Sequence, residues 1–113
     1  MLKIIEVSTV NETEAFKQIN NDLLAAEFEF KPEVRTEHKE SLVNDDYDDH
    51  QKAVSMIEDD LILLMGEVAA KHGFSNFSIF DGCEQSWSIA CNHVEFGETF
   101  IIVEDQTEYD FGF

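Results

Sequence analysis

Between Val43 and Gly73 the apolar positions fall into step. Val54, Ile57, Leu61, Leu64 and Val68 recur every three or four residues, the spacing of one buried stripe on an α-helix. An acidic run, Asn44-Asp45-Asp46-Tyr47-Asp48-Asp49, precedes the stripe, and Lys71-His72-Gly73 closes it. Carboxylates favour the positive end of a helix, and Lys-His-Gly suits a stop in a left-handed turn. The pattern predicts a long amphipathic helix over about 46–72.

Before it, Leu2 to Val7 is apolar on both faces except for Lys3 and Glu6, which predicts an inner strand. A helix over about 11–26 follows, with Phe16, Ile19, Leu23 and Leu24 as its stripe. Asn11 with Glu14, or Thr9 with Glu12, offers the capping pair. Glu27 to Lys31 alternates as a half-buried strand, and Pro32, the only proline, makes it an edge strand or ends it. Glu33 to Leu42 is polar with no clear period and is expected to be a solvated loop.

After Gly73 the period becomes two. Phe74 to Phe80 predicts a strand and Asp81-Gly82 a turn. Trp87, Ile89, Cys91 and His93 share one face of the next strand, and Gly97 marks another turn. Thr99 to Val103 is apolar on both faces, so it is expected to be central. Glu104-Asp105-Gln106 turns the chain into a last alternation, Tyr109, Phe111 and Phe113 against Glu108 and Asp110. The aromatics of that alternation read as core, with an anchor-and-acid contact strip as the other use. The expected fold class is α+β: one domain, residues 1–113, with two helices on one face of a mostly antiparallel sheet that ends in a β-meander.

Composition changes this picture in one respect. Twenty-five Asp and Glu against seven Lys and Arg give a net charge of −18, and no Lys or Arg follows Lys71. Duplex DNA carries a charge every ~1.7 Å, so this load matches roughly 30 Å of duplex, about the expected width of such a domain. That balance excludes unaided binding to nucleic acid or to anionic membranes. It allows a basic protein partner, bound cations or plain solubility. No run approaches the ~20 apolar residues of a membrane span. Met1 to Val7 is too short and too soon acidic for a signal peptide, so a cytoplasmic protein with free thiols is expected.

Acidic edges are the leading candidate for function. Asp49, Asp60 and Glu67 fall along one border of the main stripe, and Asp48, Glu58 and Asp59 spread around the opposite side. Glu104, Asp105, Glu108 and Asp110 make a second acidic corner. Carboxylates held on rigid elements replace phosphates in a Lys- and Arg-lined groove and steer association. Other chemistry fits less well. The acidic run lacks the Gly and Glu that a calcium loop needs at its sixth and twelfth places. His72, Cys83, Cys91 and His93 match no zinc module spacing. A Cys83–His nucleophile would sit in an acidic field that disfavours its thiolate. No phosphate loop or hydrolase elbow is present. The expectation is therefore a non-enzymatic acidic inhibitor with no cofactor and no metal. It would cover the basic groove of a nuclease or other nucleic-acid-binding protein, as DNA mimics of the anti-restriction or anti-CRISPR kind and nuclease-toxin immunity proteins do. Two alternatives stand beside it: a housekeeping domain whose charge serves solubility, dimerising through a sheet face or edge, and a small Cys/His metal protein or enzyme.

Overall fold

Alternation at period two turns Trp87, Ile89, Cys91 and His93 inward and leaves Ser86, Ser88 and Ala90 half-buried and Asn92 exposed on the other side. The computed structural model describes residues 1–10, 12–44, 46–83 and 85–108. In it the chain runs β1 (Leu2–Thr9), α1 (Glu14–Leu24), β2 (Glu27–Phe28), α2 (Pro32–Val43), α3 (Tyr47–Val68), β3 (Phe74–Cys83), β4 (Ser86–His93) and β5 (Gly97–Asp105). The strands pair antiparallel in the order β2-β1-β5-β4-β3. The doubly apolar strand β5 is therefore central, as its composition requires, and β3 to β5 form the expected meander. A bulge between Ile4 and Glu6 resets the alternation of β1, so that Leu2, Ile4 and Val7 all face inward.

The three helices cover one face of this sheet. Phe16 and Leu23 of α1, Val34 of α2, and Ile57, Leu61 and Met65 of α3 join the inward residues of the strands in a single core. α1 is capped by Thr13, whose hydroxyl accepts the Phe16 N–H at 3.2 Å; the expected caps are displaced by a few residues, and Asn11 lies outside the described residues. α3 begins where its first-turn carboxylates imply, with Asp46 Oδ1 accepting the N–H groups of Asp48 and Asp49 at 2.9 and 3.3 Å. It ends at Val68, passes through a short 3₁₀ turn and stops at Gly73, whose φ is +96°.

Three expectations are corrected. The segment read as a solvated loop is helix α2. Pro32 opens it from the first-turn position, where a missing N–H costs nothing. Its buried stripe is Val34, His38 and Ser41, correctly spaced but two-thirds polar, which hid it. The strand expected over 27–31 is only the two-residue edge strand β2. Asp81-Gly82 is not a turn, because β3 continues to Cys83 and pairs it with Ser86. Gly82 instead makes room: a Cβ there would lie 2.7 Å from Trp87 Cδ1. The final strand expected over 108–113 falls outside the described residues beyond Glu108, and Glu108 itself is in no strand.

One buried carboxylate ties α2 to the sheet. Asp105, 3% exposed at the end of the central strand, accepts from Arg35 Nη1 at 2.5 Å and from the Thr107 N–H at 3.1 Å. His38 Nδ1 lies 3.6 Å away. Arg35 also reaches Glu29 at 2.7 Å and lies over the Phe30 ring. Removing one member of a buried charge group strips its partners of that low-dielectric pairing, typically costing ~3–5 kcal/mol. Asp105→Ala is therefore expected to lower stability by about that much. Glu104→Ala, one residue away but on the opposite face, should stay within roughly 0.5 kcal/mol. Urea unfolding of the two variants checks this, and equal losses would contradict the assignment.

Candidate functional site: the outer face of α3 and its cleft

Helical geometry sorts the acidic residues of α3 by the direction they face. Asp48 and Asp59 are exposed, almost opposite the buried stripe. Asp49 is half-buried and Glu67 exposed along one border, and Glu58 is half-buried on the other. Asp60 does not belong with them, a correction to the expected acidic edge. It is 3% exposed and its Oδ2 accepts the Lys31 N–H at 3.0 Å, with Lys31 Nζ 3.9 Å from Oδ1. Asp60 thus closes the N-terminus of α2, where a carboxylate is favoured by the unpaired N–H groups and the helix dipole.

The second acidic corner is divided in the same way. Glu104 and Asp105 are the last residues of β5 rather than a turn, and successive strand residues face opposite ways. Asp105 turns into the core against Arg35. Glu104 lies half-buried on the face away from the helices, paired in register with Lys3 and Ser86. Glu108 is exposed just past β5, and Asp110 lies outside the described residues. The sheet separates Glu104 from the α3 carboxylates, so the two clusters do not form one surface.

The outer face of α3 also carries apolar side chains. Leu61-Ile62-Leu63-Leu64-Met65 is apolar all the way round the helix, so part of it must face water. Ile62 and Leu63 are 37% and 54% exposed, one turn after Asp59 and one turn before Glu67. Between them and Glu67 stands Gly66, where a Cβ would meet nothing within 4 Å. Packing among the described residues does not require that glycine, and glycine inside a helix costs ~1 kcal/mol relative to alanine.

Beside the other border of α3 lies a cleft of about 310 Å³ between α2, α3 and the end of β3. Leu42, Ala53, Val54, Ile57 and Trp87 supply its apolar walls, and His38, Ser41, His50, Glu58 and Cys83 its polar groups. Ser41 Oγ and His50 Nδ1 are 2.7 Å apart. Sequence reasoning missed this cleft because Ser41 was assigned to a loop. The available signal was the Asp46 cap, which with Pro32 marks a helix–turn–helix that brings residues 41 and 50 together.

The four residues weighed for zinc or thiol chemistry do not converge on one point. His93 donates from Nε2 to the His72 carbonyl at 2.7 Å, while its Nδ1 accepts the N–H groups of Glu95 and Phe96 at 3.0 and 3.3 Å. Both ring nitrogens are thus engaged, Nδ1 in the turn between β4 and β5 and Nε2 in tying that turn to the 3₁₀ turn before β3. Cys91 is buried, with Sγ 3.6 Å from the Thr99 carbonyl, whereas Cys83 is exposed. Among the described residues no group of three or more His, Cys, Asp or Glu is placed to hold a metal ion, and no helix is long and apolar enough to cross a membrane.

The molecule is more elongated than its length suggests, with extents of 47 × 22 × 20 Å. The described residues carry 22 carboxylates and seven Lys and Arg, a net −15. That is one charge per roughly 3 Å of the long axis, about half the linear density of duplex DNA. Four of the seven cations, Lys17, Lys31, Arg35 and Lys52, are already paired with carboxylates of this chain. Comparison with protein-family models, curated proteins and solved structures returned no match.

The two thiols should separate chemically. Burial pushes the Cys91 thiol up to about 11 from an ordinary 9.0, so its thiolate is scarce at pH 8. A thiol-reactive disulfide reagent at pH 8 is expected to modify Cys83 alone in the folded protein and both cysteines in urea. Because the Cys91 pKa is raised on folding, its contribution to stability is fully present below pH 9 and is lost between 9 and about 11. Rapid modification of both thiols in the folded state would contradict this.

Proposed function

We propose that this protein is a small acidic inhibitor that docks the outer face of α3 on a basic, nucleic-acid-handling protein. The observation that carries the reading is the composition of that face: exposed Ile62 and Leu63, the open Gly66, and a frame of Asp48, Asp59 and Glu67. Interfaces of this kind combine an apolar centre, which supplies desolvated contacts, with a charged rim that sets on-rate and partner choice. The carboxylates stand where a groove built for phosphates places Lys and Arg. Gly66 lets another backbone approach the helix closely, a use that offsets its cost to the helix. At half the linear charge density of a duplex, the mimicry is of a phosphate row rather than of a whole double helix. Inhibition of a nuclease or of a restriction- or CRISPR-type effector, and immunity to a nuclease toxin, are all instances of this mechanism.

A second reading rests on the sheet face that none of the described helices covers. Phe80 is 69% exposed there and meets the Phe100 ring at 5.4 Å, an apolar contact suited to a second copy of the chain. Glu6, Glu98, Glu104 and Asp81 lie on strands of the same sheet, β1, β5 and β3, so pairing through this face would be favoured by salt, opposite to the α3 reading. Sedimentation at low and high ionic strength separates the two.

For the α3 reading, the triple charge reversal Asp48→Lys, Asp59→Lys and Glu67→Lys is expected to abolish capture of the partner at low salt. The Ile62→Ser, Leu63→Ser pair should weaken it at least tenfold with little change in its salt dependence. Gly66→Ala is expected to stabilise the fold by ~0.5–1 kcal/mol and still weaken binding. Quantitative pull-down with the urea midpoint measured in parallel tests this. Undiminished capture by all of these variants would remove α3 from the interface.

A further inference from the structure

The cleft between α2 and α3 is built for a ligand of a definite kind. Its walls are apolar: Val54 at the mouth, 46% exposed, with Ile57 and the Trp87 indole, both buried, farther in. At about 310 Å³ it lies at the lower end of the range for small-molecule sites. Inside it, the Ser41–His50 pair offers a hydrogen-bonding point to an incoming group.

Its charge is one-sided. No Lys or Arg lines it, while Glu58 does, and the surrounding chain carries the net −15 described above. Among the described lining residues, His38 has its Nδ1 3.6 Å from the Asp105 carboxylate, so that ring nitrogen faces a partner within the protein. Low-dielectric walls with carboxylates at the rim focus the field and concentrate cations. An organic anion would be repelled, and an inorganic cation would forfeit the apolar walls.

From these features we infer that the cleft binds a small organic cation, an ammonium group carried on an aromatic or alkyl body. The body fills the space between Val54, Ile57 and Trp87, and the ammonium pairs with Glu58 at the mouth. This site is distinct from the outer face of α3 and does not depend on the inhibitor reading.

Trp87 is the only tryptophan of the chain, so its fluorescence reports the cleft directly. Phenethylamine, phenethyl alcohol and phenylacetate share one ring and differ in charge, and each would be titrated into the intact protein. Saturable quenching or a spectral shift is expected with the amine, at least tenfold weaker binding with the alcohol, and none with the carboxylate. Glu58→Gln should weaken amine binding about tenfold, Val54→Phe should block it, and Glu12→Gln, which removes an equal charge from an exposed site preceding α1, should leave it unchanged. Calorimetric titration of the same variants, with circular dichroism to confirm their fold, keeps loss of binding separate from loss of structure. The inference is overturned if the amine gives no saturable signal, if the carboxylate binds as well, if Val54→Phe is without effect, or if Glu12→Gln weakens binding as much as Glu58→Gln.

Discussion

A carboxylate buried at the end of the central strand sets the position of nearly everything on the helical side. Isolated buried charges cost several kcal/mol, and the burial of Asp105 is offset by Arg35 and His38 of α2, which converge on it together with the Thr107 N–H and the N-terminal ammonium. With α2 fixed at that point, α3 is fixed in turn by three polar ties along the α2–α3 seam. Asp60 holds the Lys31 N–H, Glu37 meets Lys52 at 2.9 Å, and Ser41 meets His50 at 2.7 Å. The cleft and the outer face of α3 both follow from that arrangement.

The same economy explains which acids are left over. With seven cations for 25 carboxylates, the buried acids take the well-placed donors: Asp105 takes Arg35, and Asp60 takes the start of α2. Asp48, Asp59 and Glu67 face water in a chain with few cations to spare. Acids that look alike in sequence therefore divide into a structural set and a presented set. Only the second can meet a partner, and a reading of sequence cannot separate them without knowing where Arg35 points.

Much of the architecture was legible because its signals were local. The alternation of β4, the doubly apolar β5, the Asp46-led start of α3 and the Gly73 stop each follow from a few neighbouring residues. What escaped was non-local or spelled in polar letters. α2 buries His38 and Ser41, residues that read as solvent-facing until Asp105 and His50 are known to lie beside them. Gly82 carries a turn signal but is needed for its missing Cβ against Trp87. Asp60 shares the helical border of Asp49 and Glu67 and differs in what packs over it, whereas Asp105 continues the inward register of Ile101 and Val103 but reads as part of a polar turn until Arg35 is known to meet it. Ile62 and Leu63 could have been found, since five consecutive apolar residues cannot all be buried on one amphipathic helix.

The most direct test of the α3 account is a three-component competition. The partner captured at low salt from the source lysate would be loaded with labelled duplex DNA and titrated with this protein while DNA release is followed by fluorescence anisotropy. The account predicts stoichiometric release by the wild-type protein, steeply reduced as salt is raised, and no release by the α3 charge-reversed form. Release by both forms alike, or a ternary complex in which the partner holds DNA and this protein together, would contradict it.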